Sequence, residues 1–429
     1  MADPYNPDRS FAARLDHEDP LGSFIDRFYK LPDTIYMDGN SLGLLSRDAE
    51  ETLLRVLNEW KHQGIDGWMN AEIPWFHYTE RLAAMQAPML GARAEEVIIT
   101  SSTTINMHSL IRTLFKPVQG KDRILMDELN FPSDIYAVKA ILSDLGLDPD
   151  AHLVLAPSRD GRFLDETELI ERMDDDVAVA LLPAVLYRSG QLLDLRRLTL
   201  AAHERDILIG FDCSHSVGAV PHTLDADDVD FAVWCNYKYM NNGPGGTAGL
   251  YINQRHLPVN PSLAGWWGYD KQRQFDMNLE FRPSGTAGAF QTGTPHLFST
   301  APLEGSLRLY QEAGIERLRE KSIRLTNYFI YLLDTLLPEE KSGFRIGSPR
   351  EEHRRGGHVA VEHEEAVRIN EALKHRGVLP DFRYPNVIRL APVPLYTRFT
   401  EVWDTVDHLK KIIENGEYRK YSKKRGDVA

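Results

Sequence analysis

Residues 233–246 read VWCNYKYMNNGPGG: an apolar run leads into Tyr237 and Lys238, and a loop rich in asparagine and glycine follows. Lysine is rarely buried without a chemical role, and its amine is a nucleophile once it has lost its proton. Glycine tolerates positive φ, so the loop can turn sharply and approach another group closely. We therefore expect Lys238 to be a nucleophilic amine at the end of a buried strand.

Apolar runs on both sides of this stretch alternate with segments of helical length. Continuous apolar runs of this kind are typical of buried strands in a mostly parallel sheet that helices cover on both faces. The predicted strands are 96–100, 123–126, 177–185, 207–212, 231–235 and 247–252. A helix is predicted to begin at Asp48 and end at Gly64. We expect its apolar face to carry Leu53, Leu57 and Trp60.

The alternation of strands and helices begins again near residue 300, which predicts a second, smaller α/β domain. The long helix expected there carries Leu318, Leu325, Phe329, Leu332 and Leu336 on one side, and the last helix carries Val402, Val406, Leu409 and Ile413. The predicted division is an N-terminal arm (1–47), a large ligand-binding domain (48–300) and a small C-terminal domain (301–429).

The composition excludes several classes of protein. No apolar stretch of the 429 residues approaches the length of about 20 that spans a bilayer, and the polar first residues do not predict a secretory signal. Two cysteines favour a reducing cytoplasm over a disulfide scaffold. The formal net charge of −14 disfavours nucleic acid and anionic membranes as partners.

Polar residues follow several of the predicted strands. Asp212 and His215 lie in DCSHS after ILIGF, Thr103 and Thr104 lie in SSTTIN after EVIIT, and FPSD (131–134) follows RILM. Ligands of open α/β sheets bind at the carboxyl ends of the strands, so these residues are expected near Lys238. A lysine, a carboxylate, an aromatic ring and a hydroxyl-rich helix start are what pyridoxal phosphate requires.

Each of these residues also has a plainer interpretation. Asp212 alone is a reasonable helix N-cap, His215 alone a core or loop histidine, and SSTT an ordinary helix start. Together these interpretations need several coincidences at one sheet edge, whereas one cofactor accounts for them all. NNGPGGTAG lacks the phosphate-loop pattern GxxxxGK[ST]. Three histidines in 353–363 have no thiolate beside them, so no metal site is predicted.

Six motifs together resemble the kynureninase family of fold-type-I pyridoxal-phosphate enzymes in tryptophan catabolism. They are GNSLGL, FPSD, FDCSHSVG, WCNYKYMNNGPGG, AGWWG and APVPLY, and the resemblance runs from residues 36–44 to 388–396. It implies a mostly parallel seven-stranded sheet flanked by helices, plus a smaller C-terminal α/β domain. It also implies a cytoplasmic homodimer with composite active sites. The implied reaction is hydrolysis of L-kynurenine to anthranilate and L-alanine on the kynurenine pathway.

The resemblance assigns roles to individual residues. Lys238 matches the lysine that bonds to the cofactor, and Tyr237 the tyrosine that contacts the phosphate and relays protons. The other implied cofactor contacts are Thr103, Thr104, Phe131, Pro132, Ser133, Asp134, Asp212, His215, Trp266 and Thr294. Trp266 and Thr294 are implied to reach the phosphate of the neighbouring subunit. The implied substrate contacts are Asn40, Ser41, Trp68 and Arg389, with the Arg389 guanidinium on the α-carboxylate.

Departures from the family pattern bear on substrate choice. Trp68 stands where vertebrate relatives that favour 3-hydroxykynurenine have histidine, and Gly293-Thr294 stands where they have Ser-Asn. Both changes remove polar groups that could hydrogen-bond to a ring hydroxyl, so we expect L-kynurenine to be preferred. Pro183 falls where some relatives have serine, which removes one expected contact near the phosphate.

The nearest alternative is an enzyme of the cysteine desulfurase or selenocysteine lyase type on the same fold. Desulfurases need a mobile catalytic cysteine. The two thiols of this chain, Cys213 and Cys235, both lie at strand ends beside residues of the cofactor type. A non-catalytic cofactor-binding regulator would need a DNA-binding module, and the sequence contains no helix-turn-helix extension or basic face.

Overall fold

The computed structural model describes residues 5–424; residues 1–4 and 425–429, at the outer ends of the predicted arm and C-terminal domain, lie outside the described part. The helices are α1 (Arg9–His17), α2 (Arg47–Gln63), α3 (Gly67–Asn70), α4 (Tyr78–Gln86), α5 (Thr103–Leu114), α6 (Pro132–Asp144), α7 (Pro149–His152), α8 (Glu166–Glu171), α9 (Leu195–His203), α10 (Leu297–Ala313), α11 (Ile315–Leu336), α12 (Glu339–Ser342), α13 (Ala366–His375) and α14 (Phe399–Glu414). The strands are β1 (Ile35–Tyr36), β2 (Val97–Ile99), β3 (Arg123–Asp127), β4 (Leu153–Ala156), β5 (Val177–Pro183), β6 (Leu208–Asp212), β7 (Phe231–Trp234), β8 (Gly249–Ile252), β9 (Arg345–Ile346), β10 (Val359–Glu362), β11 (Val378–Leu379), β12 (Asp381–Arg383) and β13 (Val387–Leu390).

The large sheet has seven strands in the order β2-β8-β7-β6-β5-β3-β4, which confirms the predicted architecture. All of its strands are parallel except β8, which runs antiparallel to both of its neighbours. The strand β4 is absent from the sequence prediction. It is an edge strand of four residues in which only Ala156 is buried, although its sequence, LVLA, is apolar throughout.

The central strands set the position of the candidate site. β7 is buried at every position, and β5 at all but one, because helices cover both faces of the sheet. β6 lies between them, with Asp212 paired to Pro183 on one side and to Val233 on the other. The carboxyl end of β6 therefore brings Asp212 beside the segment that leads from β7 to Lys238.

The predicted apolar face of α2 is wrong for Leu57 and Trp60, whereas Leu53 is partly buried against the first core. Leu57 and Trp60 are 45% and 57% exposed. The buried residues of the helix are Ala49, Thr52, Val56 and Glu59. The Thr52 hydroxyl donates to the Ala301 carbonyl in α10 over 2.8 Å, and a Cβ at Gly305 of α10 would lie 2.2 Å from the α2 backbone. Small residues let the backbones of α2 and α10 approach each other, and the large side chains of Leu57 and Trp60 point outward.

A second hydrophobic core surrounds a four-stranded antiparallel sheet of order β12-β13-β10-β9. α11, α13 and α14 contribute to it, and so do Ala12, Leu15 and Met37 from the N-terminal part of the chain. The apolar faces predicted for α11 and α14 are buried, except that Leu336 and Ile413 are only partly so. α10 belongs to the first core, so the domain boundary at residues 300 and 301 stays a prediction.

Residues 36–44 connect the two cores. Met37 lies in the second core and Leu44 in the first, and Asp38 forms a parallel bridge with Ala391 just beyond β13. This path carries the GNSLGL motif between the lysine loop and the small sheet.

Candidate active site

Lys238 lies just beyond β7, at the carboxyl edge of the large sheet. The chain leaves the sheet after Trp234 and holds Lys238 half-buried. Its Nζ lies 3.0 Å from Nε2 of His215. The following loop has positive φ at Gly243 and Gly245, which is the sharp turn that its composition predicts.

The GNSLGL motif packs directly on the lysine loop. The backbone N–H of Gly43 donates to the carbonyl of Tyr237 over 2.9 Å. A Cβ at position 43 would lie 2.2 Å from Oδ1 of Asn241 and 2.4 Å from the carbonyl oxygen of Lys238. A larger residue would displace the loop that carries the lysine, so this close approach requires glycine.

His215 is buried beside the lysine in its neutral form. Burial, and next the positive charge of Lys238, hold the pKa of His215 well below its usual value. A neutral imidazole accepts a hydrogen bond at Nε2 from the lysine and donates one from Nδ1. Among the described residues, Nδ1 has no hydrogen-bond partner, so it is free to bind a ligand.

Two carboxylates lie side by side in the same pocket. Asp212 accepts a hydrogen bond from the backbone N–H of Ser214 over 2.9 Å, and Asp134 lies in the first turn of α6. Burial, and then the charge of Asp212 and a hydrogen bond with it, raise the pKa of Asp134 well above its usual value. The Asp134 carboxyl therefore holds its proton more strongly than an isolated carboxyl group does.

The first turns of two helices meet next to these carboxylates. α5 begins at Thr103 with Ser102 as its N-cap, and α6 begins at Pro132, whose fixed φ suits the first turn of a helix. Oγ1 of Thr104 lies 3.1 Å from Oγ of Ser133. Hydroxyls and unpaired backbone N–H groups at helix N-termini bind phosphate.

A cavity of about 90 Å³ lies between these groups. The predicted residues that line it are Thr103, Thr104, Phe131, Ser133, Asp134, Asp212, His215, Tyr237 and Lys238, and Pro183 lines it without a side-chain donor. The Phe131 ring is 41% exposed, stands edge-on to Tyr187 with 5.3 Å between centroids, and lies 6.0 Å from Nζ of Lys238. An aromatic face therefore borders the lysine.

Four residues that line the cavity were missed by the sequence analysis: Asn130, Val185, Tyr187 and Ser214. Val185 and Tyr187 follow the end of β5, just as Asp212 ends β6. The same rule of strand ends, extended a few residues beyond β5, would have found Tyr187.

Tyr237 keeps its phenolic proton. The neighbouring thiol of Cys235, and then burial, raise the pKa of Tyr237 above its usual value. Cys235 and Cys213 are themselves buried free thiols, 3% and 0% exposed. Both thiols are buried directly after strands of the large sheet, a placement unlike the mobile cysteine that a desulfurase needs.

Arg389, on the second sheet, contacts Tyr187, one of the residues that line the cavity. It lies on β13, and its Nη1 donates to the carbonyl of Tyr187 over 2.7 Å. Its Nη2 donates to Oγ of Ser41 over 3.0 Å. Asn40, next along the chain, is fully buried, and neither atom of its amide has a partner within residues 5–424. The predicted substrate contacts Asn40, Ser41 and Arg389 are thus brought together.

Pro132 begins α6 between Phe131 and Ser133 but does not itself line the cavity, and three other predicted residues lie away from it. Trp68 packs against Trp75 and Trp267, with 5.7 and 5.2 Å between ring centroids. Trp266 is 42% exposed, and Thr294 lines a separate small cavity of about 50 Å³. Within one chain, these side chains do not line the space around Lys238.

The described part of the chain contains no group of three or more histidine, cysteine, aspartate or glutamate side chains placed to hold a metal ion.

Comparison with known proteins gives consistent results. Residues 318–409 match the family profile of the kynureninase C-terminal domain. The kynureninase of Geobacillus thermodenitrificans is 56% identical over 423 residues, which cover 99% of this chain and 98% of that protein. That of Bacillus thuringiensis is 53% identical over 427 residues, covering 100% and 99%.

Two solved structures share the fold. A mutant of C-DES with glycine linked covalently to its PLP cofactor gives a TM-score of 0.77 at 18% identity, covering 90% of this chain and 98% of that chain. The cysteine desulfurase of Thermococcus onnurineus gives 0.75 at 18% identity, covering 97% and 100%. At this identity the likeness concerns the fold alone.

Proposed function

The chain belongs to the kynureninase family, and on that premise we propose that the pocket around Lys238 hydrolyses L-kynurenine in preference to 3-hydroxykynurenine. The reaction releases anthranilate and L-alanine. The observation that carries the assignment of the pocket is the contact of 3.0 Å between Nζ of Lys238 and His215, beside the Asp134–Asp212 pair. A lysine amine and a pair of adjacent carboxyl groups at one sheet edge are the chemistry that this reaction needs.

The residues of the pocket fit pyridoxal phosphate, the cofactor of this family. The adjacent carboxyl groups of Asp134 and Asp212 would pair with a pyridine nitrogen, and Nδ1 of His215 is free to donate to an oxygen of the ring. Thr103, Thr104 and Ser133 would hold the phosphate. Bound there, the cofactor supplies an aldehyde that bonds to amines and a ring that accepts the electron pair released at the α-carbon of the substrate.

Lys238 and Tyr237 move the protons of the reaction. The amine of Lys238 can take the α-proton of the substrate, while neutral His215 orients it from 3.0 Å away. Water attacks the γ-carbonyl carbon, the Cβ–Cγ bond breaks, and anthranilate leaves with its new carboxylate. The β-carbon then needs a proton, which Tyr237 is able to donate because its raised pKa keeps it protonated.

Arg389 orients the substrate by its α-carboxylate. Its guanidinium is buried between Tyr187 and Ser41, so its position relative to the cavity is fixed. The unpaired amide of Asn40 adds one donor and one acceptor next to it.

Trp68 packs on Trp267, the neighbour of Trp266, so we place it with Trp266 in the site of the partner subunit. Trp68→His is then expected to raise kcat/KM for 3-hydroxykynurenine relative to L-kynurenine by about tenfold, because the imidazole offers a partner to the ring hydroxyl. The measurement is the rate of release of anthranilate and 3-hydroxyanthranilate from the two substrates. Trp403→His in α14, where the indole bonds to the Pro7 carbonyl, is the matched control. An unchanged preference in Trp68→His would remove this residue from the ring pocket.

We propose that the active unit is a homodimer in which Trp266 and Thr294 complete the site of the partner. In support, two segments of the chain, residues 60–69 and 275–298, leave several large apolar side chains exposed: Trp60, Ile65, Met69, Phe275, Leu279 and Phe298. Exposed apolar patches of this kind mark interfaces.

The composite site predicts complementation between two inactive variants. Lys238→Ala and the double variant Trp266→Ala/Thr294→Ala are each expected to be nearly inactive. Mixed and allowed to exchange subunits, they should regain about a quarter of the wild-type rate, since half of the dimers then hold one intact site. A mixture no more active than its components would contradict the shared site.

We propose the cytoplasm as the compartment, in keeping with two free, buried thiols. Among residues 5–424, no helix combines the length and the apolar character that crossing a bilayer requires.

A further inference from the structure

Arg389 has few donors left for a substrate. Its Nε donates to Oδ2 of Asp381 over 2.6 Å, and its Nη2 contacts the same oxygen as well as Ser41. Its Nη1 donates to the carbonyl of Tyr187. A guanidinium has five N–H groups, so four are occupied and the free one is on Nη1. Asp381 therefore holds the arginine from the side opposite to Tyr187.

Both carboxylates near this arginine have an unsatisfied oxygen. Asp381 is 1% exposed and directs Oδ2 at Arg389 and at Nε of Arg383, which is 3.0 Å away, while its Oδ1 is buried without a partner. Asp38 is half-buried, and its Oδ1 is likewise buried without a partner among the described residues. The bridge of Asp38 to Ala391 places it beside the strand that carries Arg389.

The charges of this cluster cancel before a substrate binds. Asp38 and Asp381 carry two negative charges, and Arg383 and Arg389 carry two positive ones. A substrate α-carboxylate on Arg389 adds a further negative charge to a buried site. An uncompensated charge there is strongly unfavourable unless a neighbouring group changes its protonation.

The other titratable groups that face this cluster stay neutral. Burial lowers the pKa of His358 to about 3, and burial and Lys238 lower that of His215. Tyr36, on the same segment as Asp38, and Tyr239, on the lysine loop, have pKa values raised by burial.

We propose that Asp38 is a positioning residue that takes up a proton when an α-carboxylate binds Arg389, so that binding of the substrate is coupled to proton uptake. This inference rests on the proposed function, in which Arg389 binds the substrate. In the free enzyme the ionised Asp38 and Asp381 together balance the two arginines. When the ligand arrives, protonation of Asp38 restores the balance and leaves the Arg389–Asp381 pair in place.

The pKa of Asp38 in the free enzyme sets the direction in which ligand affinity changes with pH. Burial, and next the charge of Asp381, raise the pKa of Asp38 to about 6, against the opposing effects of Ser41 and the two arginines. Below that pH, Asp38 already holds the proton, and the ligand binds without further uptake. Above it, the proton must come from solvent, so the affinity falls as pH rises, by up to about tenfold per pH unit.

Calorimetric titration of the holoenzyme tests the coupling. The probe is the analogue of kynurenine that lacks the α-amino group, since it keeps the carboxylate but cannot bond to the cofactor. Titrations in two buffers of different ionisation enthalpy give the number of protons bound. At about pH 7.5 we expect an uptake of about half a proton or more per ligand for the wild type and almost none for Asp38→Asn.

Asp33→Asn is the matched control, because Asp33 is exposed on the same segment and undergoes the same chemical change. It should keep the uptake and the pH dependence of the wild type. Wild-type binding without uptake, or an uptake unchanged in Asp38→Asn, would overturn the proposal. Anthranilate release by the same preparations tests the proposed function separately, because turnover does not depend on the number of protons that accompany binding.

Discussion

Replacement of Lys238 by alanine is expected to lower anthranilate release by about 10³-fold or more. The amine is the group that bonds to the cofactor and moves the α-proton, and the cavity offers no second lysine to replace it. Mass spectrometry after borohydride reduction should find the cofactor attached to the wild-type chain and absent from the variant. Absorbance and fluorescence assays of anthranilate give the rate.

Lys139→Ala is the matched control for this experiment. Lys139 is half exposed and pairs with Asp150 on the surface, so its loss should leave the rate unchanged. A Lys238→Ala enzyme that works at the wild-type rate would end the assignment of the pocket.

Asp212→Ala is expected to lose about 10²-fold or more in kcat even with excess cofactor. Asp212 ends β6 in the middle of the sheet and lines the cavity beside Lys238, so it is the carboxylate placed to keep a pyridine nitrogen protonated. Without Asp212, the pKa of Asp134 should fall, because the neighbouring charge and hydrogen bond that help to raise it are gone. Steady-state kinetics at saturating cofactor measure the effect.

Asp134→Ala distinguishes the two members of the pair. It should be the less severe variant, since Asp212 then remains at the sheet edge, and Asp144→Ala on the exposed end of α6 should behave as the wild type. A full rate in Asp212→Ala would place the partner of the pyridine nitrogen elsewhere.

The part of the site that the sequence could predict consists of residues at the ends of strands. Buried strands appear as apolar runs, and the polar residue that ends such a run must lie at the sheet edge. This simple rule located Asp212, Thr103 and Lys238 without any knowledge of packing. It missed β4, an edge strand of four apolar residues in which only Ala156 is buried.

Other features depend on contacts between distant parts of the chain. Asp381 holds Arg389 only because β12 pairs with β13 in a register that sets the two residues opposite each other. The outer face of α2 was misjudged because the close approach of α10 favours Thr52 and Ala49 over larger side chains. The spacing of apolar residues within one segment does not reveal which distant segment will pack against it.

The most direct test of the account is the assay of anthranilate release by the purified holoenzyme with L-kynurenine, with 3-hydroxykynurenine in parallel. We expect one anthranilate and one L-alanine for each L-kynurenine consumed, and a slower reaction with the hydroxylated substrate. No anthranilate from L-kynurenine, with the cofactor still bound to Lys238, would contradict it and leave only the fold and the cofactor site.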